Sequence, residues 1–256
     1  MVNDRLSIPH RVRKAGTPVA HTFSSRGFTL ALGLFVAVLA VYAVFQSPLF
    51  RLTTIVVAGA EHLSAADVSE WTGLEMGANL LEVDVRAVQE ALRAHPQVKD
   101  ARVRRKLPAS LVVELEERRP VAYLLAGEEF WALDGDGVAL FRTEAMPVSL
   151  PLITVDEELA PRAGHRVEHP ALAKAVEFAG ALSPEGLASL SEVHVTREGV
   201  AAYTRDGISV ALGTDGDMSD RAYVMQELLA EIERRRLPVS HIDLRHPKTP
   251  VFRDKR

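Results

Sequence analysis

The chain has 256 residues, a formal net charge of −4 and no cysteine, which removes disulfides, thiolate chemistry and cysteine-based zinc sites from consideration. Beyond residue 27 it keeps 25 of its basic and 33 of its acidic residues, so it offers no global positive field for DNA or RNA. Its folded parts must stand on apolar cores alone.

Residues 1–27 carry Arg5, Arg11, Arg13, Lys14 and Arg26 against a single Asp4, with Pro9, Pro18 and no apolar periodicity. They read as a disordered tail. Phe28 to Phe45 then runs for eighteen residues without a charge. At 1.5 Å per residue it reaches roughly 27 Å, close to the roughly 30 Å hydrocarbon core of a bilayer. Eleven of these residues are Leu, Val or Phe, each contributing about −0.3 to −0.6 kcal/mol to insertion. A single transmembrane helix over 28–46 is predicted, and the basic tail puts the N-terminus in the cytoplasm with the rest of the chain outside. A cleaved signal peptide fits less well, because the run exceeds an ordinary apolar region and Val41-Tyr42-Ala43 is a poor cleavage site.

Residues 50–118 read as one small domain. The β-branched run from Leu52 to Val57 predicts a strand. Ser64, with Asp67 three residues on, starts a helix that runs to Thr72, buries Val68 and Trp71, and ends at Gly73. Asp84 caps a second helix carrying Val85, Val88 and Leu92 on one face and stopped by Pro96. Strands follow over Lys99 to Arg105 and Ser110 to Glu117, the second with Leu111, Val113 and Leu115 on one face, joined at Leu107-Pro108-Ala109. The order is β-α-α-β-β, a sheet with one face under two helices. The basic run Arg102, Arg104, Arg105 and Lys106 reads as a solvated edge paired with Glu114, Glu116 and Glu117, or else as a docking surface for another envelope protein.

Residues 119–252 read as a second, β-rich domain with flanking helices, followed by a tail at 253–256. Pro120 to Leu125 and Phe130 to Leu133 are strands, Asp134-Gly135-Asp136-Gly137 is a turn, and Val138 to Phe141 returns as their partner. The proline-rich stretch from Pro147 to Pro151 interrupts the pattern. A helix over Pro170 to Leu182 is followed by strands at His194, Ala201 to Thr204 and Ile208 to Leu212, the last two turning at Asp206-Gly207. Ala222, Met225, Leu228, Leu229 and Ile232 form the apolar stripe of a helix over Ser219 to Arg236, and Ile242 to Leu244 is a last strand. The fold class is therefore α+β.

Chemistry is sparse in this sequence. Asp134 and Asp136 begin like a calcium loop, but Ala145 stands where the twelfth-position glutamate belongs. His165 and His169 have helical metal-site spacing, yet Pro161, Gly164 and Pro170 surround them, so they read as loop histidines. Glu128, Glu129 and Asp134 could serve an envelope hydrolase, though nothing in their spacing makes an acid/base pair. No catalytic, cofactor or metal site and no small-molecule substrate is predicted.

The β-α-α-β-β order, NLLEVD at Asn79 to Asp84, HPQVKDARVRRKLPASLVVELEERRPVAYL from His95 to Leu124, and IDLR at Ile242 to Arg245 resemble the FtsQ/DivIB family of cell-division proteins. That resemblance implies an inner-membrane, single-pass protein of the division septum, with a POTRA domain and a β domain in the periplasm. It implies no enzyme activity but a divisome scaffold, recruiting FtsB and FtsL through the last strands of the β domain. The matching residues are Asp243, Leu244, Arg245, His246, Val251 and Phe252, with an FtsB strand expected beside Arg245 to Phe252. Pro247 and Pro250 cannot donate hydrogen bonds there. The family's POTRA domain is implicated in recruitment by upstream division proteins, which points here to Leu52, Ile55, Val57, Arg102 and Arg104. POTRA units of secretion and outer-membrane assembly proteins are the alternative likeness.

Overall fold

The computed structural model describes residues 25–144 and 149–254, which divide into two units after Ser47. The predicted disordered tail lies, but for its last three residues, outside the described ones. Helix α1, Ser25–Phe45, has no charged residue after Arg26, and Gly27–Phe50 is long and apolar enough to cross a membrane, with none of it buried. Such a helix has no protein core of its own to cover it.

The first domain contains β1 (Thr54–Ala58), α2 (Ala65–Thr72), α3 (Val85–Arg93), β2 (Val98–Lys106) and β3 (Ser110–Glu117). Its sheet runs β1-β3-β2, with β1 parallel and β2 antiparallel to β3. Val68, Leu80, Leu92, Leu111 and Val113 are completely or almost completely buried between sheet and helices. The predicted helix starts are both present. Ser64 and Asp67 form a reciprocal capping box, Gly73 ends α2 in the left-handed conformation, and the Asp84 carboxylate accepts from the N–H groups of Arg86 and Ala87. Trp71 of α2 stacks on His95 just beyond α3, ring centroids 3.5 Å apart.

Two details of this domain depart from expectation. β1 begins at Thr54, because Leu52 is drawn into the core at 1% exposure and exchanges backbone bonds with the 77–78 loop instead, donating to Ala78 O and accepting from Gly77 N. Of the acidic residues facing the basic edge, Glu114 pairs with Arg104 at 2.7 Å and Glu116 with Lys99 at 3.5 Å. Glu117 does not join them. Its carboxylate turns to the N–H groups of His62 and Leu63, which the loop after β1 leaves without ladder partners. Burial there works to raise its pKa, but those backbone donors outweigh it and hold the carboxyl below its ordinary value.

The second domain begins with β4 (Pro120–Ala126), β5 (Glu129–Asp134), β6 (Ala139–Thr143) and β7 (Leu152–Val155). Helices α4 (Pro170–Gly180) and α5 (Pro184–Ser189) follow, then β8 (Leu190–Thr196), β9 (Gly199–Thr204) and β10 (Ser209–Gly213). Helix α6 (Met218–Arg235), β11 (Val239–Asp243) and β12 (Val251–Asp254) complete it. Among the described residues these strands form one nine-stranded sheet in the order β12-β11-β10-β9-β8-β7-β4-β5-β6. Strand β7 and helix α5 were not foreseen, nor was the extension of the sheet through Arg253 and Asp254. His169 is no loose loop residue, since its Nδ1 accepts from Leu172 N and caps α4.

One row of side chains explains how the sheet is buried. Leu124, Ile153, Val193, Ala202, Val210 and Ile242 stand in register on adjacent strands. All six have no exposed surface and pack with Val176 and Phe178 of α4 and Ala222 and Met225 of α6. The two domains meet at Arg118 and Arg119, the only residues between β3 and β4.

Candidate partner-binding edges

Apolar burial fills the helix-covered side of the sheet and leaves its ends to be managed. At one end, β6 has its first residue engaged by a loop: Ala139 N donates to His165 O, and Ala139 O accepts from Gly164 N. At the other end stands β12, whose four residues are all exposed and whose only strand neighbour among the described residues is β11. An uncovered edge strand is a template for another strand.

The register shows what that edge presents. Phe252 continues the buried row from Ile242, yet it is 43% exposed, because no further strand or helix lies over it. Val251, paired with Asp243, faces the other side of the sheet and is 62% exposed. In an antiparallel pair, successive residues turn their N–H and C=O groups alternately toward the partner and away from it, so β12 has backbone groups aimed outward. Pro247 and Pro250 precede the strand and do not interrupt it. At the far end Ser240 Oγ, at an irregularity in β11, donates to Arg253 O at 3.1 Å.

Of the six residues predicted here, Val251 and Phe252 form the edge and the others sit behind it. Asp243 is paired through its backbone on both sides, with Ala211 and with Val251. Leu244 has no exposed surface and donates its N–H to Ala211 O. Arg245 is folded back onto Asp243, with Nε 3.0 Å from Oδ1 and Nη2 2.6 Å from Oδ2, while Arg245 N also donates to Oδ1. That guanidinium is the chief cause that brings the Asp243 carboxyl down to about 2. His246 opens the turn that leads to β12, accepting from Thr249 N. Arg253 and Asp254 also belong to the edge, and the signal for them was the Val251-Phe252 pair directly after Pro250.

The first domain has one open and one guarded edge. On β1, Ile55 and Val57 pack against the core with Leu52, whereas Thr54, Val56 and Ala58 are exposed. On β2, Val103 N donates to the Gln89 side chain, and Arg105 reaches Leu80 O and Val83 O, bracing the irregular segment before α3. Arg102 and Arg104 stand exposed on that guarded strand, paired with Asp100 at 3.8 Å and with Glu114.

Of the three carboxylates considered for hydrolysis, Glu129 and Asp134 are already engaged. Glu129 pairs with Arg142, and Asp134 is buried against Arg118. A cleft of about 370 Å³ at the joint between the domains is lined by charged residues, Glu61, Lys99, Glu116, Arg119 and Asp136 among them, together with Gly59 and Gly135, so ion pairs dominate its chemistry.

Two family models match the two folded domains. An FtsQ-type POTRA domain model matches residues 50–118, and a model described as cell division protein FtsQ/DivIB, C-terminal, matches residues 122–245. Cell division protein FtsQ of Myxococcus fulvus is 32% identical over 229 residues, covering 86% of this chain and 79% of that protein. Cell division protein DivIB of Geobacillus kaustophilus is 26% identical over 210 residues, 78% of this chain and 75% of that one. The solved extracytoplasmic domain of DivIB from Geobacillus stearothermophilus aligns with 46% of this chain at 22% identity and a TM-score of 0.32.

Proposed function

The chain belongs to the FtsQ/DivIB family of cell-division proteins, and from that premise we propose that it is a non-enzymatic scaffold of the divisome. In this reading α1 crosses the inner membrane once, with the basic tail in the cytoplasm and the POTRA and β domains in the periplasm at the septum. The β domain takes a strand from an FtsB-type partner, in complex with FtsL, along β12. The POTRA domain offers β1 for its own contact with other division proteins.

The observation that carries the reading is Phe252. It ends a row that is buried from Ile242 to Leu124 and continues through half-buried Trp131 to exposed Arg142 at the opposite edge, so an added strand would cover the apolar end of that row. Backbone bonds from such a strand give affinity, and the alternation of Phe252 with Val251 and Arg253 gives specificity.

Co-purification of the full-length protein with the periplasmic parts of FtsB and FtsL tests it. Phe252→Glu puts a charge into the apolar row, and Phe252→Pro and Arg253→Pro each remove one N–H, one inward and one outward by the alternation of the ladder. Loss of capture is expected in Phe252→Glu and in at least one proline variant. Undiminished capture in all three would remove β12 from the account.

A further inference from the structure

Three polar side chains are buried among the described residues: Asp134, Thr204 and Arg221. Two close tight turns. Asp134 Oδ1 accepts from Asp136 N and Val138 N, and Thr204 Oγ1 accepts from Ile208 N. Arg221 does something else. It rises from α6 at 4% exposure, with Nε 3.0 Å from Leu244 O, Nη2 3.1 Å from Arg245 O and Nη1 against Met218 Sδ.

A buried guanidinium with no carboxylate paired to it among the described residues is a poor choice for stability, since apolar residues of similar volume usually serve as well. Its distinctive property is the rigid fork, which can grip two carbonyls at once. Those two carbonyls directly follow β11, where the chain leaves the sheet for the corner that leads to β12. The same corner is gripped from the other side by Asp243 on Arg245, whose stem lies so close to Gly213 that a Cβ there would sit 3.1 Å from Arg245 Cγ. Among the described residues, β12 itself has its ladder with β11 and the two Ser240 contacts to hold it.

We propose that Arg221 is a positioning residue for the docking edge: it fixes the corner after β11 so that β12 is already laid down as a strand when a partner arrives. The inference rests on the strand-addition reading and names the residue that prepares that site. Without the fork, Leu244 O and Arg245 O lose their donors and the corner loosens. β12 then spends part of its time off the sheet, and partner affinity falls by the fraction of molecules that remain competent.

The experiment uses full-length protein in detergent micelles, as wild type, Arg221→Met and Arg221→Lys. Hydrogen exchange is read on the free protein, and affinity is read against the periplasmic part of FtsB. In Arg221→Met, exchange is expected to quicken about tenfold in residues 244–254 and to stay unchanged in β8, β9 and β10, with affinity about tenfold weaker. Arg221→Lys, which can reach one carbonyl, should recover part of both. Unchanged exchange in β12 overturns the proposal, as does uniformly faster exchange in every strand, which would mean a merely structural role. Faster exchange in β12 with undiminished affinity also overturns it. Absence of binding by the wild type would remove the strand-addition reading and the docking role with it, whereas the exchange comparison would still report whether Arg221 holds β12.

Discussion

Arg118 and Asp134 are joined at 2.5 Å across the boundary between the two domains, with 19% and 5% of their side chains exposed. The backbone N–H of Arg118 meanwhile donates to Gln97 O of the POTRA domain, so one residue is fastened to both sides. Arg119, next in sequence, points the other way and pairs with Glu61. Asp134→Ala should therefore lower stability by about 2–3 kcal/mol, since it leaves Arg118 with only the exposed Asp136 carboxylate at 3.3 Å and leaves two turn N–H groups without an acceptor. Asp136→Ala removes a carboxylate that is 59% exposed and should change stability by less than about 0.5 kcal/mol. Urea unfolding of the two variants side by side checks the contrast.

The capping box at α2 gives a second expectation. Ser64→Ala should destabilise the POTRA domain by about 1 kcal/mol. The Ser64 hydroxyl is also the leading cause that keeps the Asp67 carboxyl below its ordinary pKa. Its NMR titration should consequently move upward in the same variant. A stable Ser64→Ala protein with an unmoved Asp67 would contradict the geometry.

Stability should also respond to mild acid through His95. Burial beside Trp71 holds the imidazole below its usual 6.5, against a smaller opposing pull from Asp67. The folded state thus favours the neutral ring. Its contribution is intact above pH 6.5 and declines as the pH falls through that value toward the lower folded pKa. Denaturant midpoints measured at pH 7.5 and 5.5 should separate in the wild type, and His95→Gln should remove that part of the difference.

Gly59 ends β1 at a φ of +81°, and a Cβ there would lie 2.5 Å from the backbone oxygen of Leu115. Gly59→Ala combines left-handed strain with a collision against a strand that cannot move aside. A loss of about 2–4 kcal/mol is expected, readable as a lower melting temperature.

Much of this architecture was legible because local chemistry and global fold agree. Ser64 with Asp67 and Gly73, Asp84, and the alternation of Leu111, Val113 and Leu115 each act within a few residues, so the sequence displays them. What stayed hidden depends on neighbours distant in the chain. Leu52 leaves the strand pattern because the 77–78 loop competes for its backbone. Strand β7 is too short for any periodicity and is a strand because β4 and β8 flank it on either side. Strand β12 follows a corner containing Pro247 and Pro250 and is a strand because β11 lies beside it. Arg221 carries no signal at all, since its partners are backbone carbonyls 23 and 24 residues away.

The joint at Arg118 has a mechanical meaning as well. From β12 the sheet leads strand by strand to β4, and from there through Arg118 and Arg119 to β3. A pull on β12 would be passed along successive backbone ladders and then to a joint of two residues, with no slack cord between the domains.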